Sequence, residues 1–143
     1  MPRPLFSATL LAAALTLATP AVAYDDPESA RAESAQLLGM MALNGKGFLM
    51  LSGDEDDMIA GAKTAVRQKL RDPDSAQFRN IRIVEHTAGK LVCGEVNARN
   101  VFGGYVGFQL FASSGQSARI LFTDLDPAIE AALNAPLMEA CGD

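Results

Sequence analysis

At Arg79 the spacing of apolar residues along the chain changes from a helical period to a period of two. Met58, Ile59, Ala62, Ala65, Val66 and Leu70 recur every three or four positions, the mark of one helix face. Asp54, Glu55, Asp56 and Asp57 precede them, where the dipole of a starting helix is positive, and Lys63, Arg67 and Arg71 form a row on another face. Asp72 stands before Pro73 and is predicted to end this helix, because the residue before proline avoids the α region. After Arg79, Ile81 and Ile83 alternate with Arg82, which predicts a strand over 79–86. Thr87-Ala88-Gly89 reads as a hairpin loop, followed by a second strand over 90–98, a turn over 100–103, a third strand over 104–112 with Val106, Phe108 and Leu110 on one face, a loop over 113–117 and a fourth strand over 118–123. Connections this short predict an antiparallel meander.

Three Asp-Pro pairs punctuate the chain at Asp26-Pro27, Asp72-Pro73 and Asp126-Pro127. Proline suits the first helical position and an aspartate before it caps free amides, so helical segments are expected to start at each pair. The first is predicted over 27–43, with Ala30, Leu37, Leu38 and Met41 on one face and Asn44-Gly45 as its end. The glycine-bounded apolar run 47–53 reads as a buried connector, strand or short helix. The last helix begins at Pro127, and Pro136 is expected to kink or split it. A meander has an apolar face that needs cover, and the second helix and the C-terminal segment supply it. The expected class is α+β: a four-stranded antiparallel meander with helices packed on one face and one disulfide. Whether the fourth strand pairs with the third is left open by the pattern.

The disulfide follows from the other end of the chain. Arg3 is the only charge before Asp25, an apolar run of about 14 residues follows it, Pro20 breaks the run, and Ala21-Val22-Ala23 has the small-x-small form a signal peptidase accepts. The run is shorter than the roughly 20 residues a bilayer span needs. Residues 1–23 therefore read as a signal peptide, 24–53 as an N-terminal helical segment and 54–143 as an α+β domain. The mature product, starting at Tyr24, is expected to be soluble in the periplasm or secreted, with no stable membrane insertion. In an oxidising compartment Cys93 and Cys141, 48 positions apart, are most simply a disulfide that pins the last helix to the second strand.

The chain has 143 residues and a net charge of −5, which becomes −6 when Arg3 is removed. That acidic balance argues against a general nucleic-acid binder. One histidine and two cysteines exclude most zinc, iron–sulfur and haem frameworks, and no metal or cofactor is expected. Charge is uneven: 63–99 holds eight bases and four acids, between two acidic stretches. Internal complementarity between these stretches is the expected use, a basic surface for an anionic partner the other one.

Few residues carry a chemical signature. His86 beside a hairpin turn reads as a surface histidine, since Glu85 faces the opposite side of its strand and no Gly-x-Ser-x-Gly elbow is present. Asp54 to Asp57 fails the EF-hand pattern because Met58 and Ile59 fill the fifth and sixth places. Asn44-Gly45-Lys46-Gly47 lacks the spacing of a phosphate loop. Met40, Met41, Met50, Met58 and Met138 are expected in the core rather than around a copper ion. No residue is assigned a catalytic role. The segment Asn97-Ala98-Arg99-Asn100-Val101-Phe102-Gly103-Gly104-Tyr105 is the exception, with three polar side chains, two glycines and two aromatics at a strand–turn–strand. Glycines let a backbone approach another surface, and Tyr and Arg favour recognition; a purely structural turn is the other use.

Lys69-Leu70-Arg71-Asp72-Pro73-Asp74-Ser75-Ala76-Gln77-Phe78, followed by Cys93-Gly94-Glu95-Val96-Asn97-Ala98-Arg99-Asn100-Val101-Phe102-Gly103-Gly104-Tyr105-Val106-Gly107-Phe108, resembles a family of small bacterial exported and phage-encoded proteins. The family pattern is Leu-Lys-Asp-Pro-x-Ser-Ala-x-Phe and then Cys-Gly-x-Val-Asn-x-Lys-Asn-x-x-Gly-Gly-Tyr-x-Gly; Arg71 and Arg99 stand where it commonly has lysine. The resemblance covers about 62–112, implies an exported one-domain protein and adds no catalytic residue. The expected function is an exported, non-catalytic module that binds a protein or an envelope component, with Asn97, Arg99, Asn100 and Tyr105 making the contact and Gly103 and Gly104 shaping it. The alternatives are a small periplasmic hydrolase or lyase, using polar groups in a cleft near Glu95, Asn97 and Arg99 and favoured by a pocket that joins them to His86, and an inhibitor-like or structural protein.

Overall fold

Asp26, Asp54 and Asp126 each accept a backbone N–H from two or three residues further on. Each opens a helix in the computed structural model, which describes residues 26–142. These are α1 (Pro27–Ser52), α2 (Glu55–Arg67) and α3 (Pro127–Cys141). The predicted signal peptide lies outside the described residues. Asp72 opens only a 3-10 turn, Pro73–Ser75, and makes no side-chain cap. α2 stops at Arg67, earlier than the expected Asp72, with Gln68 as its C-cap.

α1 is longer than the sequence predicts. It passes through Asn44-Gly45 and absorbs the supposed connector, ending at Gly53, whose φ of 69° is left-handed and whose N–H donates to the Leu49 carbonyl. The glycine read as a stop is a contact point: a Cβ at Gly45 would lie 2.1 Å from the Lys90 carbonyl oxygen. Pro136 sits buried inside α3 without splitting it.

The sheet is the expected antiparallel meander, β1 (Gln77–His86), β2 (Gly89–Asn97), β3 (Gln109–Ser113) and β4 (Ala118–Ile120), in the order β1-β2-β3-β4. β4 therefore does pair with β3, through Phe111 opposite Ile120. β3 starts five positions later than predicted, because 104–108 belongs to a loop. β1 carries a bulge between Arg79 and Arg82, where Asn80 takes a φ of 53°.

Alternation along β2 separates two cores. Val92 and Val96 pack with Phe111 and Ala118 against Met58, Ala62, Ala65 and Val66 of α2. Gly94, between those valines, makes room for the Phe111 ring: a Cβ there would lie 2.9 Å from its Cζ. Leu91 and Cys93 pack with Ala112 against Leu38 and Ala42 of α1 and Leu137 and Cys141 of α3. The α+β class, the meander and the helices on the sheet are as predicted; the cover is two-sided rather than confined to one face. The run Leu91-Val92-Cys93-Gly94 is buried throughout, as a strand covered on both sides must be. The disulfide Cys93–Cys141 joins β2 to α3 within the second core, with a Cα separation of 5.4 Å. The methionines divide: Met58 is core, whereas Met40, Met50 and Met138 are exposed, against expectation, because they lie on helix faces that no other described element covers.

Candidate functional site

The segment singled out by its sequence is a loop between β2 and β3, and most of its polar groups bond to the protein itself. At its base, Asn97 accepts the Gly107 N–H on Oδ1 at 3.0 Å. At its tip, the Asn100 N–H donates to the Gly104 carbonyl at 2.9 Å and the Gly103 N–H donates to the Asn100 carbonyl at 3.0 Å. Asn100 Oδ1 also accepts from the N–H groups of Phe102 and Gly104, at 2.9 and 3.2 Å. Gly103 has a φ of 80° and Gly107 of 102°, conformations an L side chain resists.

The loop is footed on the 3-10 turn. Arg99 and Tyr105 form an isolated antiparallel bridge. The Arg99 N–H donates to Ser75 Oγ at 2.9 Å, and its guanidinium pairs with Asp72 at 2.9 Å. The Tyr105 hydroxyl donates to the Ser75 carbonyl at 3.3 Å. Ser75 Oγ in turn donates to the Asp72 carbonyl. Two stretches that the resemblance picks out separately, 69–78 and 93–108, are thus joined in space.

These bonds assign roles that sequence reasoning did not. Asn97, Asn100 and Gly103 hold the loop's shape, Gly104 closes it, Arg99 is tied to Asp72, and the half-exposed Tyr105 is tied by its hydroxyl. The side chains left facing outward are Val101, Phe102 and Val106, with Phe102 92% exposed. The signal for them was present: Val101-Phe102 is an apolar pair inside a glycine turn, which has no core face to occupy.

Next to the loop, on the same face of β2 as Asn97, Glu95 receives two hydrogen bonds from Arg79, at 2.8 and 3.0 Å, and one from Asn80 Nδ2 at 2.7 Å. The Arg79 guanidinium lies 3.8 Å over the Phe108 ring. The Arg79 hydrogen bonds, and then that from Asn80, hold the Glu95 carboxyl below the usual glutamate range, and Glu95 pushes Arg79 up. A carboxylate held as an anion by three donors is not disposed to deliver a proton.

His86 lies at the other end of the sheet. It pairs with Gly89, while Arg79 pairs with Glu95, a separation of six positions or roughly 20 Å along β2. His86 Nδ1 accepts the Ala88 N–H at 3.1 Å. With Ala35, Leu38, Glu85 and Glu139 it lines a groove of about 330 Å³ that none of Glu95, Asn97 or Arg99 reaches. The pocket beside His86 therefore does not join it to Glu95, Asn97 and Arg99. Arg79, Lys90 and Arg99 pair with Glu95, Glu85 and Asp72, acids of their own stretch rather than of the flanking acidic segments. Among the described residues there is no cluster of three metal-ligating side chains and no helix long and apolar enough to cross a membrane. No protein-family model matches the chain, and neither does any curated protein or solved structure, so the loop and its anchors are what a reading of function rests on.

Proposed function

We propose that the chain is an exported, non-catalytic binding module that presents the loop 98–107 to a protein or other envelope component. One observation carries this reading: Phe102 is almost fully exposed at the tip of a loop whose own polar groups are bonded internally. Exposing a large apolar ring has no folding benefit, while a partner gains its burial. Bracing by Asn97, Asn100, Ser75 and Asp72 lowers the ordering cost of binding, so little affinity is lost to fixing the loop. Aromatic anchors with apolar neighbours are the side chains that dominate binding interfaces. The partner expected is therefore one with an apolar pocket rather than an anionic ligand.

A disulfide within the core fits a periplasmic or secreted protein. On this reading the chain groups with the exported and phage-encoded family it resembles, and the resemblance to 93–108 reflects the loop's construction. The test is photo-crosslinking in the envelope. A photoreactive phenylalanine analogue in place of Phe102 should give a discrete adduct, and the same analogue at the exposed Met138 on α3 should not. Equal labelling from both positions, or none from 102, would overturn the reading.

A further inference from the structure

Among the described residues, nothing covers the outer face of α1. Leu37, Met40, Leu43, Met50 and Leu51 all point away from the two cores, the last two 77% and 92% exposed. From Ser34 to Gly53 the helix carries one charge, Lys46. A helix that is apolar on both sides is ordinarily buried on both sides.

Gly47 lies on this same outer face. A glycine inside a helix costs about 1 kcal/mol relative to alanine. Gly45 has an internal reason, since its backbone touches β2. Gly47 has none: its φ is not positive, and a Cβ built there would meet nothing within 4 Å. A helical glycine with empty space beside it, in the middle of an exposed apolar strip, is what close approach by another helix requires.

We infer that α1 is a homodimer surface, on which a second copy of this chain packs its own α1 antiparallel about a two-fold axis near Asn44. The strip is self-complementary in that register. Leu37 meets Leu51 of the partner subunit, and Met40 fills the space left by the partner subunit's Gly47. The five residues together expose roughly 600 Å² per copy, so their complete burial in a pair would remove at most about 1,200 Å², the lower end of specific interfaces. Register and area select this occupant. The chain is acidic overall, and the strip lets two copies meet without setting carboxylates against each other. A lipid surface is the poorer fit, because Lys46 is the one cation within 34–53 and no tryptophan is present to anchor it. The axis lies near the β1–β2 turn, where α1 touches Lys90, so the loop 98–107 stays open at the far end of the sheet in both copies.

Sedimentation equilibrium of the purified, disulfide-bonded protein between about 1 μM and about 1 mM tests this without any ligand, and so independently of the loop's role. The expected result is a monomer–dimer equilibrium that Leu43→Glu and Gly47→Leu each weaken at least tenfold. Gly47→Leu should leave the melting temperature of the dilute monomer equal or higher, since leucine is the better helix former, so its effect is not one of misfolding. A protein that stays monomeric throughout, a dimer indifferent to both substitutions, or a monomer that instead co-floats with phospholipid vesicles would overturn the inference.

Discussion

Asn100 and Gly104 are bonded twice across the loop tip: the Asn100 N–H reaches the Gly104 carbonyl at 2.9 Å, and Asn100 Oδ1 takes the Gly104 N–H at 3.2 Å. The same oxygen also takes the Phe102 N–H, so one side chain fixes the two peptides that flank the apolar tip. Its removal should affect shape and binding together. Asn100→Ala is expected to destabilise by about 1 kcal/mol, a loss of a few degrees in melting temperature, because two N–H groups turn to water instead. A melting curve equal to that of the parent would show that the oxygen is not holding the turn.

The disulfide closes a 48-residue separation between β2 and α3. Chain entropy gives about 4 kcal/mol for a loop of this size. Reduction, or the pair Cys93→Ala with Cys141→Ala, should lower the urea midpoint by more than about 1 M, given slopes of about 1–3 kcal/mol/M for small proteins. A shift of under about 0.3 M would mean that packing between α3 and β2 holds the second core without the link.

Acid should act in part through Glu95. Its carboxyl titrates below the ordinary glutamate range because Arg79 and Asn80 bond the charged form. A depressed folded value means the contribution is complete above the unfolded value, near pH 4, and is lost as pH falls through the folded one. Asp26, lowered by the Ser29 amide, has the same sign. Glu95→Gln should therefore be less stable than the parent at neutral pH, with the gap closing in acid. A gap that stayed constant down to about pH 2 would contradict the assignment.

Two glycines two positions apart should respond in opposite directions. A Cβ at Gly45 meets the Lys90 carbonyl at 2.1 Å and Met58 Cε at 2.8 Å, so Gly45→Ala should cost about 1–3 kcal/mol. Gly47→Ala should stabilise the dilute monomer by up to about 1 kcal/mol. Thermal melts of the two variants side by side decide the matter; equal effects would place α1 wrongly on β2.

How far the chain was legible depended on whether a signal was local. Asp26, Asp54 and Asp126 cap helices that follow at once, and hairpin turns sit between alternating runs, so helix starts and the meander could be read directly. Gly45 and Gly47 could not. A glycine at a helix end and one at a helix crossing look alike until the Lys90 carbonyl is in place. The second cover escapes a one-faced reading of the meander, although Leu91, Val92 and Cys93 are consecutive and apolar, which asks for burial on both faces. At the loop, composition singles out the segment but does not say which of its polar groups the fold itself uses. Arg99 and Tyr105 look like contacts until Asp72 and Ser75, more than twenty residues earlier, are found beneath them. Polar residues in a turn satisfy backbone groups first, and Val101, Phe102 and Val106 are left facing outward.

The central claim is that the loop tip, not the polar residues that brace it, makes the contact. Capture from an envelope extract by immobilised protein, titrated for the parent and for Phe102→Ala, tests it most directly. The account predicts at least tenfold weaker capture by Phe102→Ala with a melting temperature within about 1 °C of the parent, since an exposed side chain contributes little to folding. Capture by Phe102→Ala at the parent's level would contradict it.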